Sequence, residues 1–431
     1  FIVDLDRSYG ATMVSSSLGN LQNNDPKSFI DAAAQIASLA VGFNHPSKNP
    51  LMLRSEVADP NLDLQDWDVT QAYEELLRQQ TGLEHITFVN SGAEAVETSL
   101  RACQTAYPDR RKIIAFEGSF HGRSVLAIHT TYNPVKRQEF ELFKDLVTFL
   151  KFPEGHHPWK AVVEPSGWLD CFSRATEGKF EDRVAGFDKN DTQLQSEIAT
   201  LVSVRKEILE CEESGQKPLA LIAEPMQCEG GDKFASPRFF RALRALTTSL
   251  DIPLILDEVQ SGFGLGGAFF WHQLFDLPSP PDVLVAAKKA QVGICVTRFK
   301  QDLKHETSPA SLYRGYLHSH EILEFDYDAH QKLVKKHLLN LQKVLGEELV
   351  SQPRSQGLCF AFDLPTDEAM NNLVAQRFDN GLLFYPAGKQ TARFRTMAHT
   401  TPEELVQMFK GIYRCFVSLG QKKLIGEVPP L

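Results

Sequence analysis

The sequence predicts an α/β fold: a largely parallel sheet covered by helices on both faces, followed by a smaller α+β unit. From about Asp68 onward, short apolar runs alternate with amphipathic helical stretches, the pattern of strands buried on both faces. After about Lys300 the texture changes to one long helix and several short strands. The 431 residues, 42% hydrophobic and 23% charged, are enough to bury a large core and a small-molecule site, and they exclude disordered, collagen-like and disulfide-scaffold chains.

In chain order, residues 1–66 carry Pro, Asn, Ser and Asp among short apolar pieces and are expected to form an irregular N-terminal cap. Candidate strands then fall at 86–89, 112–116, 219–223, 254–256 and 283–285, and candidate helices at 69–80, 93–106, 194–213 and 237–250. Residues 150–192 break this rhythm with His156-His157-Pro158, several Gly and many charges, and are expected to be a surface insertion in a large domain spanning 67–305. The C-terminal unit, 306–431, is expected to contain helices at 328–349, 367–380 and 402–416, and strands at 358–362, 382–385 and 392–395.

Forty-five basic residues against 55 acidic ones give a net charge of −10, which offers no bulk footprint for nucleic acid and favours a small-molecule function. None of the seven cysteines forms a C-x-x-C element, so they read as reduced packing residues of an intracellular protein, and no metal site is expected. No run of 18 apolar residues occurs, so no membrane-spanning helix is expected, and a cytoplasmic location is. The chain opens at Phe1, and any targeting segment ahead of it is not visible.

Three segments carry chemistry. In Phe88-Val89-Asn90-Ser91-Gly92-Ala93-Glu94 a strand runs into a helix through small residues, offering backbone N–H groups and a hydroxyl to an anion such as phosphate; alone, such a segment is more often a plain helix start than a phosphate site. In Leu254-Ile255-Leu256-Asp257-Glu258 an apolar strand delivers two carboxylates at its C-terminal end, where open α/β sheets bind ligands; the plainer reading is an N-cap Asp beside a solvated Glu. A further apolar strand ends in Ala286-Ala287-Lys288-Lys289, and a lysine there is either a solvated strand end or a nucleophile. A phosphate cradle, a carboxylate and a lysine together describe a pyridoxal phosphate site.

On these residues the sequence resembles the class III aminotransferases of the pyridoxal-phosphate family, and within them the L-lysine ε-aminotransferase and 4-aminobutyrate aminotransferase branch. Matching segments run in order between about Leu18 and Tyr413: Asn90 to Glu97, Gly118-Ser119-Phe120-His121-Gly122-Arg123, Ala223 to Asp232 with Glu224 and Glu229, Asp257 to Gly264, Ala287-Lys288-Lys289-Ala290-Gln291-Val292, and Ala392-Arg393-Phe394-Arg395. The lysine branch is favoured by the Lys-Lys-x-Gln-Val and Glu-Gly-Gly-Asp runs and by Tyr385-Pro386-Ala387-Gly388.

The resemblance implies a fold-type-I enzyme: a large domain with a seven-stranded, mostly parallel sheet, a small domain built from both chain ends, and a homodimer with active sites at the interface. It makes Lys288 the Schiff-base lysine, with Lys289 as competitor, and Asp257 the partner of the pyridine nitrogen. Gln260 falls to the ring hydroxyl, Ser91, Gly92 and Ala93 to the phosphate, Phe120 to the ring face, and Glu224 to the cofactor pocket. His121, which in isolation reads as a metal ligand, becomes structural. Arg123 grips the donor's distant carboxylate, unless it is only a surface ion pair. Arg393, with Arg395 as a candidate to share its task, receives the α-carboxylate of glutamate or 2-oxoglutarate, and Glu229 masks Arg393 while the ω-amino donor is bound. The implied reaction is transfer of an ω-amino group, best assigned to lysine, to 2-oxoglutarate; 4-aminobutyrate, ornithine and diaminobutyrate are alternative donors, and an aminomutase or a non-catalytic scaffold are alternative functions. Two departures stand out. Arg395 is followed by Thr396-Met397-Ala398-His399 rather than a proline-rich continuation, and residues 311–320 are short for the loop whose threonine reaches the partner's cofactor phosphate.

Overall fold

The computed structural model describes residues 3–15, 27–44, 69–138, 143, 145–301 and 307–420. The remainder of the expected cap, the start of the resemblance at Leu18 and the expected boundary at 305/306 lie outside the described residues.

The centre is a seven-stranded sheet in the order His85–Val89, Gly293–Thr297, Val283–Ala286, Leu254–Glu258, Ala220–Ala223, Ile113–Phe116, Val147–Leu150. Only Gly293–Thr297 runs against the others. Two of the seven were not expected from the sequence. Val147–Leu150 is a half-buried edge strand, and Gly293–Thr297 follows a three-residue turn too closely to stand out as a separate apolar run. Helix starts are explicit in the sequence: Ser91, Asp191 and Ser236 each accept a hydrogen bond from the third residue of the following helix.

Asp282 fixes the central strands to one another. Its carboxylate accepts from the Leu254 amide at 2.8 Å and from Arg244 at 2.5 Å, and also pairs with Arg298. Because Asp282 and Arg244 are both buried, Asp282→Ala is expected to destabilise the fold by about 3–5 kcal/mol, chiefly by stranding the Arg244 charge. Denaturant unfolding checks this; a loss near 1 kcal/mol or less would mean that water replaces the carboxylate.

Residues 151–191 do break the strand rhythm, but they are not a surface feature throughout. Two short helices, Trp168–Ser173 and Phe180–Ala185, bury Trp168, Cys171, Phe172 and Phe180 in the large core, and the Trp168 indole donates to the Arg238 carbonyl. The apolar residues there are spaced for one-and-a-half-turn helices, too short to give a period.

Both chain ends meet in the smaller unit. Strands Val3–Tyr9, Thr12–Ser15 and Ser28–Asp31 form one sheet with Leu382–Leu383, so the expected irregular cap contains paired strands. A second sheet has the order Ser351–Gln356, Cys359–Asp363, Thr391–Arg395, Tyr385–Ala387 and is entirely antiparallel. Along Thr391–Arg395 the pleat sends Ala392 and Phe394 into the small core, where Phe394 stacks on Phe360 at 4.7 Å, and Arg393 and Arg395 to the opposite face.

Residues 311–320 are not a loop. They lie within the helix Pro309–Glu324, whose Leu312 and Ile322 join the large core rather than the small one. A side chain at Gly315 would stand 2.2 Å from the Ala290 carbonyl oxygen, so this glycine lets the helix back directly onto the turn that carries Lys288.

Candidate active site

The C-terminal ends of the parallel strands open into a cavity of about 550 Å³, lined by Ser91, Phe120, Arg123, Glu224, Asp257, Gln260 and Lys288 among others. At one end stands the N-terminus of the helix Gly92–Ala106. Ser91 Oγ accepts from the Glu94 amide at 3.2 Å, and the Glu94 carboxylate folds back to the Asn90 amide at 3.0 Å. The N–H groups of Gly92 and Ala93 are left facing the cavity without an acceptor among the described residues. A Cβ on Gly92 would lie 2.6 Å from Val259 Cγ1, so the small residue keeps the helix end close to the sheet.

Asp257 ends its strand in a buried position. One carboxylate oxygen accepts from the Val259 amide at 2.9 Å and the other lies 2.7 Å from His121 Nδ1. His121 is thereby a second-row support that orients Asp257, which the sequence alone leaves unspecified. Its Nε2 is buried and has no hydrogen-bond partner among the described residues. Glu258 corrects the expectation of a solvated residue: it is fully buried, accepts from the amides of Trp271 at 2.6 Å and His272 at 2.9 Å, and holds the His272 ring. Strand alternation aims Asp257 at the cavity and Glu258 away from it. Glu224 accepts from the Phe120 amide at 3.3 Å, and burial, reinforced by nearby Asp257, pushes its carboxyl well above the usual range.

The two lysines separate clearly. Lys288 lines the cavity, adopts a left-handed backbone (φ 55°), and has its amine pushed below the usual lysine range, mainly by burial. Lys289 is 1% exposed, its Nζ has no hydrogen-bond partner among the described residues, and burial, then Arg395, pushes it down to about 7. It points under the sheet end rather than into the cavity, so Lys289 is not placed for chemistry on a bound molecule.

Gln260 and Arg395 are coupled. Arg395 makes a bidentate pair with Asp232 at 2.6 and 2.7 Å in a fully buried position and donates to the Gln260 side-chain carbonyl at 3.2 Å. Arg395 is therefore locked, which corrects the expectation that it shares a substrate carboxylate with Arg393. Its contact instead sets which end of the Gln260 amide faces the cavity. Arg393, nearly buried, donates to Glu229 at 2.7 Å and to the Cys228 carbonyl at 3.3 Å. Although burial works against ionisation of Glu229, Arg393 and Lys136 outweigh it and hold the carboxyl below its ordinary value. Arg123 is exposed at the cavity wall, with no ion pair among the described residues.

Three contributions were missed in the sequence. Ala34, Gln35, Ile36 and Ala37 form a left-handed turn (φ 45° to 60°) that brings the Ile36 carbonyl to 3.0 Å from Lys288 Nζ. Left-handed backbone costs a side-chain-bearing residue roughly 1–2 kcal/mol; buried Asp31 supports the turn by accepting from the Ala33 and Gln35 amides at 3.0 Å each. Lys136, on the short helix Pro134–Arg137, reaches Glu229 at 3.3 Å. No local pattern marks these residues: the Ile36 carbonyl and Lys136 act across a long sequence separation, and Asp31 serves only to hold a turn whose backbone conformation its sequence does not announce.

The aminotransferase class-III family matches residues 7–302, more than half of the chain. The chain belongs to the class III aminotransferases. Among similar proteins are the 4-aminobutyrate aminotransferase of Emericella nidulans, 25% identical and covering 89% of this chain and 80% of that protein, and the L-lysine-epsilon aminotransferase of Mycobacterium tuberculosis, 27% identical and covering 91% and 87%. The solved lysine aminotransferase from M. tuberculosis superposes with a TM-score of 0.74 at 24% identity over 97% of this chain and 95% of that one, and shares the fold. This class III aminotransferase therefore uses pyridoxal 5'-phosphate and has the fold-type-I architecture. Its cavity suits that cofactor: two amide N–H groups without acceptors stand at a helix N-terminus, an oriented carboxylate lies on the same wall, and an amine is within the same space.

Proposed function

We propose that this aminotransferase takes the ω-amino group of a diamino or ω-amino acid, with the ε-amino group of L-lysine as first choice and 4-aminobutyrate, ornithine and diaminobutyrate as alternatives, and passes it to 2-oxoglutarate. The supporting observation is the Glu229–Arg393 pair at 2.7 Å in a site whose exposed Arg123 is unpaired among the described residues. One arginine is masked and one is open, an arrangement suited to two substrates whose carboxylates lie at different distances from the reacting nitrogen.

Bound in the cavity, pyridoxal phosphate supplies an electron sink when the donor carbon loses a proton. Gly92, Ala93 and Ser91 would hold its phosphate at the helix end. Asp257, oriented by His121, would stabilise a proton on the ring nitrogen; Gln260, oriented by Arg395, would donate to the ring hydroxyl; Phe120 and Glu224 would complete the walls around the ring. Lys288 would hold the cofactor and would also move the proton at the donor carbon, a task its depressed basicity suits. Arg123 binds the donor's distal carboxylate while Glu229 keeps Arg393 from attracting it. In the second half-reaction Glu229 withdraws, and Arg393 binds the α-carboxylate of glutamate or 2-oxoglutarate. A second copy of the chain is proposed to complete the enzyme as a homodimer.

Glu229→Ala leaves Arg393 unmasked throughout. A hydrogen-bonded charge pair of this kind contributes roughly 1.5–3 kcal/mol, so the preference for the ω-amino donor over glutamate is expected to fall by about ten- to a hundredfold. Single-turnover rates of the two half-reactions, measured across a donor panel, test this. Equal losses in both halves would reduce Glu229 to a structural residue and remove the dual-substrate reading.

A further inference from the structure

Glu229 does not hold Arg393 alone. Its two carboxylate oxygens are divided between two cations: Oε1 accepts from Arg393 Nη2 at 2.7 Å and Oε2 from Lys136 Nζ at 3.3 Å. The two cations differ in setting. The Arg393 side chain is only 9% exposed, whereas those of Lys136 and Glu229 are 34% and 31% exposed. Lys136 is itself held in place, since its ammonium lies 4.5 Å from the centroid of the Phe120 ring, a cation–π contact beside the cavity. Its helix is started by Asn133, whose side chain accepts from the Val135 amide at 3.0 Å.

This geometry bears on what releasing Arg393 requires. A carboxylate leaving Arg393 with no second partner would give up a charge-assisted hydrogen bond in a partly desolvated place. Here the second partner is already engaged, on the more open side. Withdrawal is then a pivot about the Oε2 contact toward Lys136, with the carboxylate never left unpaired. We propose that Lys136 is the positioning residue on which Glu229 parks when Arg393 accepts a dicarboxylate, so that Lys136 sets the affinity of the second half-reaction and has little part in the first. The proposal rests on the dual-substrate reading given above and adds to it the residue that makes the exchange reversible at low cost. Lys136 touches neither substrate; it acts through Glu229.

The test uses the holoenzyme and glutarate, a dicarboxylate with no amino or keto group to react. In Lys136→Met the stem and its packing on Phe120 remain while the charge is lost. Calorimetric binding of glutarate is expected to weaken by about five- to thirtyfold, and the single-turnover rate with glutamate at low concentration to fall alike, while the half-reaction with the ω-amino donor changes by less than about twofold. Lys136→Arg is expected to restore glutarate affinity to within about threefold of wild type. In a Glu229→Ala background, Lys136→Met is expected to change glutarate binding by less than about twofold, because there is no carboxylate left to park. Equal losses in both half-reactions, or an undiminished effect of Lys136→Met in the Glu229→Ala background, would overturn the proposal and leave Lys136 as local packing. Arg393→Ala separates the two levels. If it abolishes glutarate binding while Lys136→Met does not weaken it, only the role of Lys136 is lost; if Arg393→Ala leaves glutarate binding intact, the reading beneath it is lost as well, and the proposal with it.

Discussion

Lys288→Ala is expected to reduce turnover by about four orders of magnitude or more, the largest effect of any single substitution in this chain, because in the proposed mechanism Lys288 is both the covalent anchor and the proton-moving group. The same variant should lose the visible absorbance of the lysine-linked cofactor while keeping its fold, since Lys288 is only part-buried and the one hydrogen bond of its amine among the described residues is to the Ile36 carbonyl. Lys289→Met provides the contrast. Lys289 is buried and has no hydrogen-bond partner among the described residues, so replacing its amine by an apolar side chain of similar length relieves a costly burial and is expected to leave turnover within about threefold of wild type. Absorbance spectra and turnover of the two variants side by side decide the matter; a Lys288→Ala enzyme that keeps its spectrum would move the chemistry to another amine.

The second large effect is expected at Asp257. Asp257→Asn preserves shape and can still accept from the Val259 amide, but it cannot hold a positive charge on the ring nitrogen. A charge pair at hydrogen-bond distance near a protein surface is worth roughly 4 kcal/mol, which corresponds to about three orders of magnitude in rate. Turnover is therefore expected to fall by about a thousandfold, while cofactor affinity falls far less, because the phosphate and Lys288 contacts are untouched. Titrating cofactor into the apoenzyme and measuring single-turnover rates separates the two quantities. His121 gives the effect a second handle, since its Nδ1 lies 2.7 Å from the Asp257 carboxylate and no other side chain among the described residues hydrogen-bonds that carboxylate. Near-normal turnover in Asp257→Asn would show that ring protonation does not limit this enzyme.

Much of the candidate site was legible because its parts are local. Ser91-Gly92-Ala93 announces a helix N-terminus through an N-cap residue and small neighbours, and Leu254 to Asp257 announces a buried strand ending in a carboxylate; both signals are complete within ten residues. The same locality explains the helices, whose caps and periods are written in adjacent residues, and explains why Val147–Leu150 and the N-terminal strands were not seen. These are short: Val147–Leu150 becomes a strand only against Ile113–Phe116, Ser28–Asp31 takes one of its two partners from Leu382–Leu383 far along the chain, and Val3–Tyr9 and Thr12–Ser15 pair with each other through a shifted register that blurs the alternation. Helix Pro309–Glu324 was misread because resemblance suggested a loop at a position where Gly315 and the apolar side of a helix are needed to back the Lys288 turn.

By itself, then, the sequence determined the α/β class, the strand ends that carry Asp257 and Lys288, and the helix end suited to a phosphate, since these follow from periodicity, capping and the fixed place of ligands at the C-terminal ends of parallel strands. The tertiary structure alone decided how the charges are shared. Sequence assigns Arg393 and Arg395 the same face of one strand; packing locks Arg395 on Asp232 and leaves Arg393 with the movable Glu229. Sequence sets Lys288 and Lys289 side by side; the left-handed turn at Lys288 sends one amine into the cavity and the other beneath it. Asp31 and Lys136 gain their roles only when residues more than 90 positions away fold against the same site, or when a local turn is held in a conformation its own side chains disfavour. Electrostatic pairing depends on distance in space, which a linear pattern does not encode, whereas backbone periodicity depends on neighbours along the chain, which it does.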